Sequence, residues 1–185
     1  LVAEDTLRAV SLKGVQRLMD VGGGTGAFLE AVGNAYPDME MVLFALPQVT
    51  PGATARFAAA GMGGRVTLSA GSFRDGALPQ GADAISLIRV LYDHSNETVA
   101  ALLASVYAAL PSGGRLIISE PMGGGAVPDR AGDVYFAFYT LAMQTGRARS
   151  AAEIEALCAD AGFTDIRSRR PQRSFVTRSL TARKP

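Results

Sequence analysis

The stretch DVGGGTG, residues 20–26, decides the fold of this chain. It follows the apolar segment 15–21, which predicts a strand, and it runs into AFLEAV, residues 27–32, which predicts a helix. Glycines at positions 22, 24 and 26 leave the turn without Cβ atoms, so the backbone can adopt positive φ angles and a ligand can approach it closely. Asp20, at the end of the strand, favours a positively charged ligand over a pyrophosphate. The stretch therefore predicts a site for a nucleotide-like cofactor.

Strand and helix signals alternate along the rest of the chain, which is typical of an α/β fold with a mostly parallel sheet and helices on both faces. The predicted strands are 16–21, 39–45, 65–69, 82–89, 114–120, 164–169 and 174–182. The predicted helices are 26–35, 50–60, 96–110, 131–145 and 150–161. Only a short connection around Pro171 and Gln172 separates the last two strands, so they are expected to form an antiparallel hairpin at one end of a seven-stranded sheet. Such a hairpin is typical of the class I methyltransferase sheet, a Rossmann-like fold.

Length and composition fit one domain. The chain has 185 residues and a formal net charge of +1, and no basic stripe predicts nucleic acid as a partner. Its single cysteine, Cys158, excludes an internal disulfide and a cysteine-based zinc site, and we expect no metal.

No apolar run reaches the roughly 18 residues of a membrane helix, and no signal peptide is recognised, so we expect a soluble cytoplasmic protein. Leu1 lies inside an amphipathic pattern, and we expect an upstream part of the polypeptide.

The glycine spacing narrows the choice of cofactor. Gly22-x-Gly24-x-Gly26 with an acid two residues upstream resembles the first motif of S-adenosylmethionine-dependent methyltransferases. The alternative is a nicotinamide site, because Gly22-x-Gly24-x-x-Ala27 also fits the looser dinucleotide fingerprint. Asp20, the triple glycine and the expected hairpin together favour the methyl donor. One expected group is missing, since Ala45 stands where an acid would accept hydrogen bonds from the ribose hydroxyls.

Four longer stretches extend the resemblance over most of the chain. They are DVGGGTGAFLEAVG (20–33), GSFRDGALPQGADAISLIRVLYDHSNE (71–97), LPSGGRLIISEPM (110–122) and AGDVYFAFYTLAMQTGRARSAAEIEALCADAGF (131–163). Together they resemble the catalytic domain of the plant caffeate-type O-methyltransferases, and the second and fourth resemble bacterial members of carotenoid biosynthesis. The resemblance implies one S-adenosylmethionine-binding catalytic domain over 1–185 and a carotenoid-like alcohol as substrate, with the enzyme peripheral to the membrane that holds it. It also implies a homodimer formed through an N-terminal domain that this chain lacks.

The resemblance also assigns the donor site. Its cofactor-binding residues are Asp20, Gly22, Gly24, Gly26, Ser72, Phe73 and Arg89. Ser72 stands where many relatives carry an acid near the adenine, and Phe73 provides an apolar contact to the ring. Arg89 replaces a lysine at the edge of the cofactor, which keeps the charge and changes its geometry.

The catalytic positions match the family pattern less closely than the donor site does. Relatives that methylate phenols use a histidine followed by an aspartate as general base, and the matching pair here is Tyr92-Asp93. His94, the only histidine, is the first candidate for the base, because an imidazole titrates near 6.5 and a tyrosine near 10. The alternative is a structural histidine that caps the following helix. Tyr92 is expected to orient the hydroxyl or relay its proton, Asp93 to orient its partner, and Glu120 to flank the base as a family acid does.

Residues 134–143 are apolar around nearly the whole helical circumference, which predicts a buried helix. The resemblance implies instead that this helix borders the acceptor pocket, where Phe138 and Met122 would suit a long polyene. Two other functions stay open. One is a non-catalytic donor-binding domain, because the ribose acid and the histidine at position 92 are missing; the other is a nicotinamide-dependent oxidoreductase.

Overall fold

A central sheet and a small outer sheet organise the computed structural model, which describes residues 1–126, 130–143, 146–169 and 177–185. The strands are β1 (Arg17–Val21), β2 (Glu40–Ala45), β3 (Val66–Ala70), β4 (Ala84–Ile88), β5 (Arg115–Glu120), β6 (Met122–Gly123), β7 (Arg149–Ser150), β8 (Thr164–Arg169) and β9 (Arg178–Arg183). The helices are α1 (Val2–Ala9), α2 (Ala27–Ala35), α3 (Thr50–Ala59), α4 (Asn96–Ala109), α5 (Arg130–Met143) and α6 (Ala151–Asp160). The expected helix end at 144–145 and strand start at 174–176 lie outside the described residues.

The strand order of the central sheet is β3-β2-β1-β4-β5-β9-β8. Strands β1 to β5 are parallel, and β9 pairs antiparallel with both β5 and β8, so the predicted α/β class and the terminal hairpin are confirmed. The chain order reverses between β1 and β4, and the carboxyl ends of these strands open at the same edge of the sheet. This topological switch point is where α/β sheets bind ligands.

Helices cover both faces of the sheet. On one face, α4 and α6 contribute Leu102, Val106, Ile154 and Cys158 to the core. On the other face, α2 and α3 contribute Phe28 and Phe57 to a second cluster. Side chains of β1 alternate between the two clusters, as expected for a strand buried on both sides.

Side-chain caps define where α4 and α6 begin. Ser95 caps α4 by accepting a hydrogen bond from the backbone N–H of Thr98 at 3.3 Å. Ser150 and Glu153 form a reciprocal capping box at the start of α6. Each cap satisfies backbone donors that an unprotected helix end leaves free, so both helix starts are fixed by their own sequence.

Helix α5 differs from its prediction. The expectation of a buried helix is wrong, because Val134, Tyr135, Phe138 and Leu141 are 54, 63, 70 and 73% exposed. Phe136 on another side of the helix is buried against Tyr92. Within the described residues, none of the helices is long and apolar enough to cross a membrane.

Candidate active site

The glycine turn after β1 adopts the expected backbone. Gly22, Gly24 and Gly26 have φ angles of +73°, +55° and +82°, a region that non-glycine residues rarely enter. A Cβ on Gly26 would lie 2.3 Å from the ring of Phe57, so this glycine serves the packing of α2 on α3. A Cβ on Gly24 would meet nothing within 4 Å. The turn therefore presents bare backbone to an open space at Gly24.

That space is a cavity of about 210 Å³ at the switch point. Its lining comprises Gly22, Gly24, Ala45, Leu46, Val49, Phe73, Arg89, Val90, Asp93 and His94. The wall from the end of β2 is apolar, and the opposite wall comes from residues 89–94 after β4, here named the site loop. Of the predicted site residues, the structure brings six together at this cavity: Gly22, Gly24, Phe73, Arg89, Asp93 and His94.

The other predicted residues stand outside the cavity lining. Ser72 accepts a hydrogen bond from the backbone N–H of Arg74 at 3.1 Å. Gly26 faces Phe57, and Asp20, Tyr92 and Glu120 are buried behind the cavity wall. Ala45 lines the cavity, and the carboxylate in that lining belongs to Asp93 on the opposite wall.

Asp20 lies fully buried beneath the glycine turn. Its Oδ1 accepts a hydrogen bond from the Ser86 hydroxyl at 2.6 Å, whereas its Oδ2 has no partner in the described part of the chain. A Cβ on Gly23 would lie 2.1 Å from Oδ2, so the carboxylate packs directly against the turn. Burial raises the pKa of Asp20 to about 7, and the Ser86 hydrogen bond opposes this rise. The carboxylate therefore lies directly behind a turn whose open face at Gly24 lines the cavity, and its negative charge favours a cationic donor there without touching it.

This geometry makes donor binding depend on pH. The folded pKa of Asp20, about 7, lies above its ordinary value of 3.8, so below pH 7 this carboxyl holds a proton, and a cationic ligand above the turn favours its loss. We expect the affinity for S-adenosylhomocysteine to rise by up to about tenfold per pH unit from pH 5 to about 7 and then to level off. By the same linkage, protein stability falls as pH rises from 3.8 to about 7. Calorimetric titration at several pH values measures this affinity. Asp20→Asn should bind S-adenosylhomocysteine weakly, with an affinity that does not change with pH. An unchanged slope in that variant would contradict the assignment.

His94 faces the cavity with one ring nitrogen already occupied. Nη2 of Arg74 lies 2.9 Å from Nδ1 of His94, and a guanidinium only donates, so Nδ1 is the acceptor and the ring proton is on Nε2. Burial and then Arg74 lower the pKa of His94. The lone pair that a general base needs is therefore engaged. The alternative of a helix-capping histidine is wrong, because Ser95 supplies that cap.

Tyr92 belongs to the site loop and is buried against α5. Its ring contacts Phe136 and Tyr139, with centroids 5.9 and 5.6 Å away, and its hydroxyl lies 3.4 Å from Nη2 of Arg89. Burial and a hydrogen bond with Tyr139 raise the pKa of Tyr92 to about 12. The phenol keeps its proton at neutral pH, so it can donate a hydrogen bond but cannot act as a base.

Asp93 lines the cavity next to His94. Its Oδ1 is buried and has no hydrogen-bond partner in the described part of the chain. Burial raises the pKa of Asp93, while His94, Arg89 and Tyr92 act in the opposite direction. A cavity-lining carboxylate with a raised pKa is a stronger base than an ordinary aspartate.

Glu120 ends β5 and is 1% exposed. Its Oε1 accepts hydrogen bonds from the backbone N–H groups of Val90 and Leu91 at 2.6 and 2.8 Å, and Oε2 accepts from Tyr92 at 3.3 Å. Burial raises the pKa of Glu120 to about 8, and these three hydrogen bonds oppose the rise. Both oxygens are thus committed to the backbone, which means that Glu120 shapes the site loop.

Two residues of the site were missed from the sequence. Ser86 stands opposite Asp20 in the β1–β4 register, and a serine inside the apolar strand AISLI is the signal that could have identified it. Arg149 is fully buried beside the site loop, and its position just before the α6 capping box carries no pattern that predicts this contact. Over the described ranges, no group of three or more His, Cys, Asp or Glu side chains could hold a metal ion.

The strand order and the glycine turn together define a class I methyltransferase fold. A family model described as an O-methyltransferase domain matches residues 1–164. The chain belongs to this O-methyltransferase domain family.

Known relatives agree with this assignment. Demethylspheroidene O-methyltransferase of Cereibacter sphaeroides is 60% identical over 185 residues, covering 100% of this chain and 49% of that protein. The enzyme of the same name from Rhodobacter capsulatus is 54% identical over 182 residues, or 98% of this chain and 45% of that protein. The crystal structure of human N-acetylserotonin methyltransferase in complex with S-adenosylmethionine has a TM-score of 0.84 at 26% identity, and the match covers 100% of this chain and 52% of that one. The chain spans about half the length of the curated relatives it matches.

Proposed function

We propose that this chain binds S-adenosylmethionine at the cavity above the glycine turn and transfers its methyl group to a hydroxyl of an apolar acceptor, a hydroxylated carotenoid. The observation that carries the donor is the bare backbone at Gly24 that opens onto the cavity, with the buried carboxylate of Asp20 behind the turn. The acceptor class is supported by the names of the relatives from Cereibacter sphaeroides and Rhodobacter capsulatus. The exposed apolar side chains of α5 support the same class.

The donor supplies an electrophilic methyl carbon on a positively charged sulfur. The chain contributes an ionised Asp20 beneath the turn and an apolar wall of Ala45, Leu46 and Val49, which excludes water. The guanidinium of Arg89, beside the Tyr92 hydroxyl, favours a phenol that donates to the acceptor oxygen. Asp93 is then the proton acceptor in place of His94, since its side chain lines the cavity and burial raises its pKa. Because the alcohol becomes more acidic as its new bond forms, its proton leaves late and a carboxylate suffices.

The acceptor is proposed to lie along α5. Phe136 and Tyr139 join this helix to Tyr92. A cleft of about 720 Å³ runs beside the helix, and its lining combines Ala137, Thr140, Leu141, Gly146 and Ala148 with the charged Asp133 and Arg147. The exposed Phe138 and its apolar neighbours extend this surface outward. A long polyene could bury part of that apolar area, at about 25 cal/mol per Å².

Truncation of Phe138 tests this surface. Phe138→Ala is expected to raise the KM for a hydroxylated carotenoid about tenfold, because it removes apolar contact area, and to leave donor affinity unchanged. Steady-state kinetics with detergent-dispersed carotenoid measures the effect. Leu1→Ala is the control, since Leu1 is 69% exposed at the other end of the chain. An unchanged KM in Phe138→Ala would remove α5 from the acceptor site.

Two measurements test the function as a whole. Calorimetry should detect binding of S-adenosylmethionine and of its demethylated product, and isotope-labelled donor should label a hydroxylated carotenoid. Firm binding of NADH without a response to the methyl donor would replace the proposal with a nicotinamide-dependent oxidoreductase. Donor binding without methylation of any hydroxylated carotenoid would favour a non-catalytic binding domain.

We propose in addition that residues 1–185 act as one catalytic domain and that the enzyme works in the cytoplasm, peripheral to the membrane that holds its substrate. The exposed apolar side chains of α5 support this position. Homodimerisation through an N-terminal domain and the absence of a metal both stay predictions from the sequence and the family resemblance.

A further inference from the structure

Two buried side chains, Glu120 and Arg149, hold the backbone of the site loop. Glu120 accepts hydrogen bonds from the backbone N–H groups of residues 90–92. The guanidinium of Arg149 donates to the carbonyl oxygens of Leu91 and His94, each at 2.8 Å. The loop that carries Asp93 is therefore fixed through both its donors and its acceptors.

Arg149 is itself held firmly. It is 1% exposed, it lies on β7 paired with Met122, and its Nε donates to Oδ1 of Asn96 at 2.9 Å. In the described part of the chain its hydrogen bonds all go to uncharged acceptors, so burial of its charge has a desolvation cost. Burial and then the charge of Arg147 lower the pKa of Arg149, which reflects the cost of placing this cation inside the protein. Because this buried cation donates to loop carbonyls in spite of its desolvation cost, its role is to fix the geometry of the loop.

Gly146 brings the same segment against the loop. Its φ angle is +75°, and a Cβ there would lie 2.0 Å from the carbonyl oxygen of Tyr92 and 2.6 Å from the carbonyl carbon of Asp93. No side chain fits at this distance. The 146–149 segment thus packs on the loop backbone at Gly146 and forms hydrogen bonds to it at Arg149.

We propose that Arg149 is a positioning residue for methyl transfer. By fixing the carbonyls of residues 91 and 94, it sets the direction in which Asp93, between them, faces the cavity. The inference rests on the proposed function and adds a residue that contacts neither donor nor acceptor. A displacement of about 1 Å in a reacting group can lower the rate on the order of 100-fold.

The test compares Arg149→Met with Arg115→Met. Arg115 is a matched control, because its guanidinium also donates to two backbone carbonyls, those of Ser11 and Lys13, but at the opposite edge of the sheet. We expect Arg149→Met to lower kcat by about 30–100-fold and to change the Kd of S-adenosylhomocysteine by less than about threefold. Arg115→Met should leave both quantities unchanged. Equal kcat in the two variants, measured below both melting temperatures, would overturn the proposal.

Two further variants keep the test decisive if Arg149→Met does not fold. Arg149→Lys keeps the charge but not the planar fork, so it should recover the melting temperature without recovering kcat. Asn96→Leu removes only the acceptor that orients Nε of Arg149 and should lower kcat about fivefold. Full activity in Arg149→Lys would mean that charge alone matters, which contradicts the proposal.

Hydrogen exchange of the free protein separates this inference from the proposed function. Exchange at the amides of residues 90–94 should accelerate in the Arg149 variants and not in Arg115→Met. If the wild-type chain transferred no methyl group, the proposed function would fail, and the exchange rates would still decide whether Arg149 fixes the loop. Unchanged exchange at these amides would overturn the positioning role.

Discussion

Asp93→Asn is expected to lower kcat for methyl transfer by about 100- to 1000-fold, the range of a lost general base. The substitution keeps the shape of the side chain and removes the carboxylate that accepts the proton at the cavity. Because Asp93 also lines the donor cavity, the Kd of S-adenosylmethionine should rise only a few-fold. The pKa of Asp93 is raised by burial, so wild-type kcat should rise with pH as this carboxyl ionises. That limb of the pH profile should vanish in the variant.

The control for this prediction is Asp38→Asn. Asp38 is exposed just before β2, at the edge of the sheet opposite the site, and its removal should leave kcat unchanged. His94→Gln should cost less than Asp93→Asn, because Nδ1 of His94 is occupied by Arg74. The reverse order of these two losses would return the role of base to the imidazole.

The sequence predicted the parts of the fold that depend on local pattern. The glycine turn, the alternating strands and helices, and the antiparallel end of the sheet follow from φ preferences and hydrophobic periodicity, and the structure has each of them. Strands β6 and β7 have two residues each, too few for a periodicity to appear. The prediction that α5 is buried was wrong for a related reason. A segment that is apolar all round has no periodicity that indicates which of its sides is buried.

The roles of the charged side chains were harder to predict. The matching of motifs placed Tyr92, Asp93 and His94 on a loop that lines the cavity, but hydrogen bonds over long sequence separations decide what each can do. Arg74 and His94 are 20 residues apart. Glu120 is about 30 residues in sequence from the amides whose hydrogen bonds it accepts, and Arg149 is 58 residues in sequence from Leu91. Such contacts depend on how loops meet in three dimensions, for which a single sequence carries no spacing rule.

Gly24→Ala is expected to weaken S-adenosylmethionine binding by about 100-fold, because the new methyl group would occupy space that a ligand on the bare turn needs. The protein itself leaves that space open, since a Cβ on Gly24 meets nothing within 4 Å. Gly14→Ala provides a matched control. Gly14 precedes β1 at the opposite edge of the sheet, has a φ angle of +81°, and a Cβ there also meets nothing within 4 Å.

The two alanine variants share one cost and differ in one respect. Each places a Cβ in the left-handed region, so each should lose about 1–2 kcal/mol of stability, measurable by thermal unfolding. Only the Gly24 variant should lose donor affinity in calorimetry, because only that glycine lines the cavity. Equal affinities in the two variants would mean that the donor does not lie against the turn. An affinity loss confined to Gly24→Ala would follow from occupied space alone, because backbone strain is common to both.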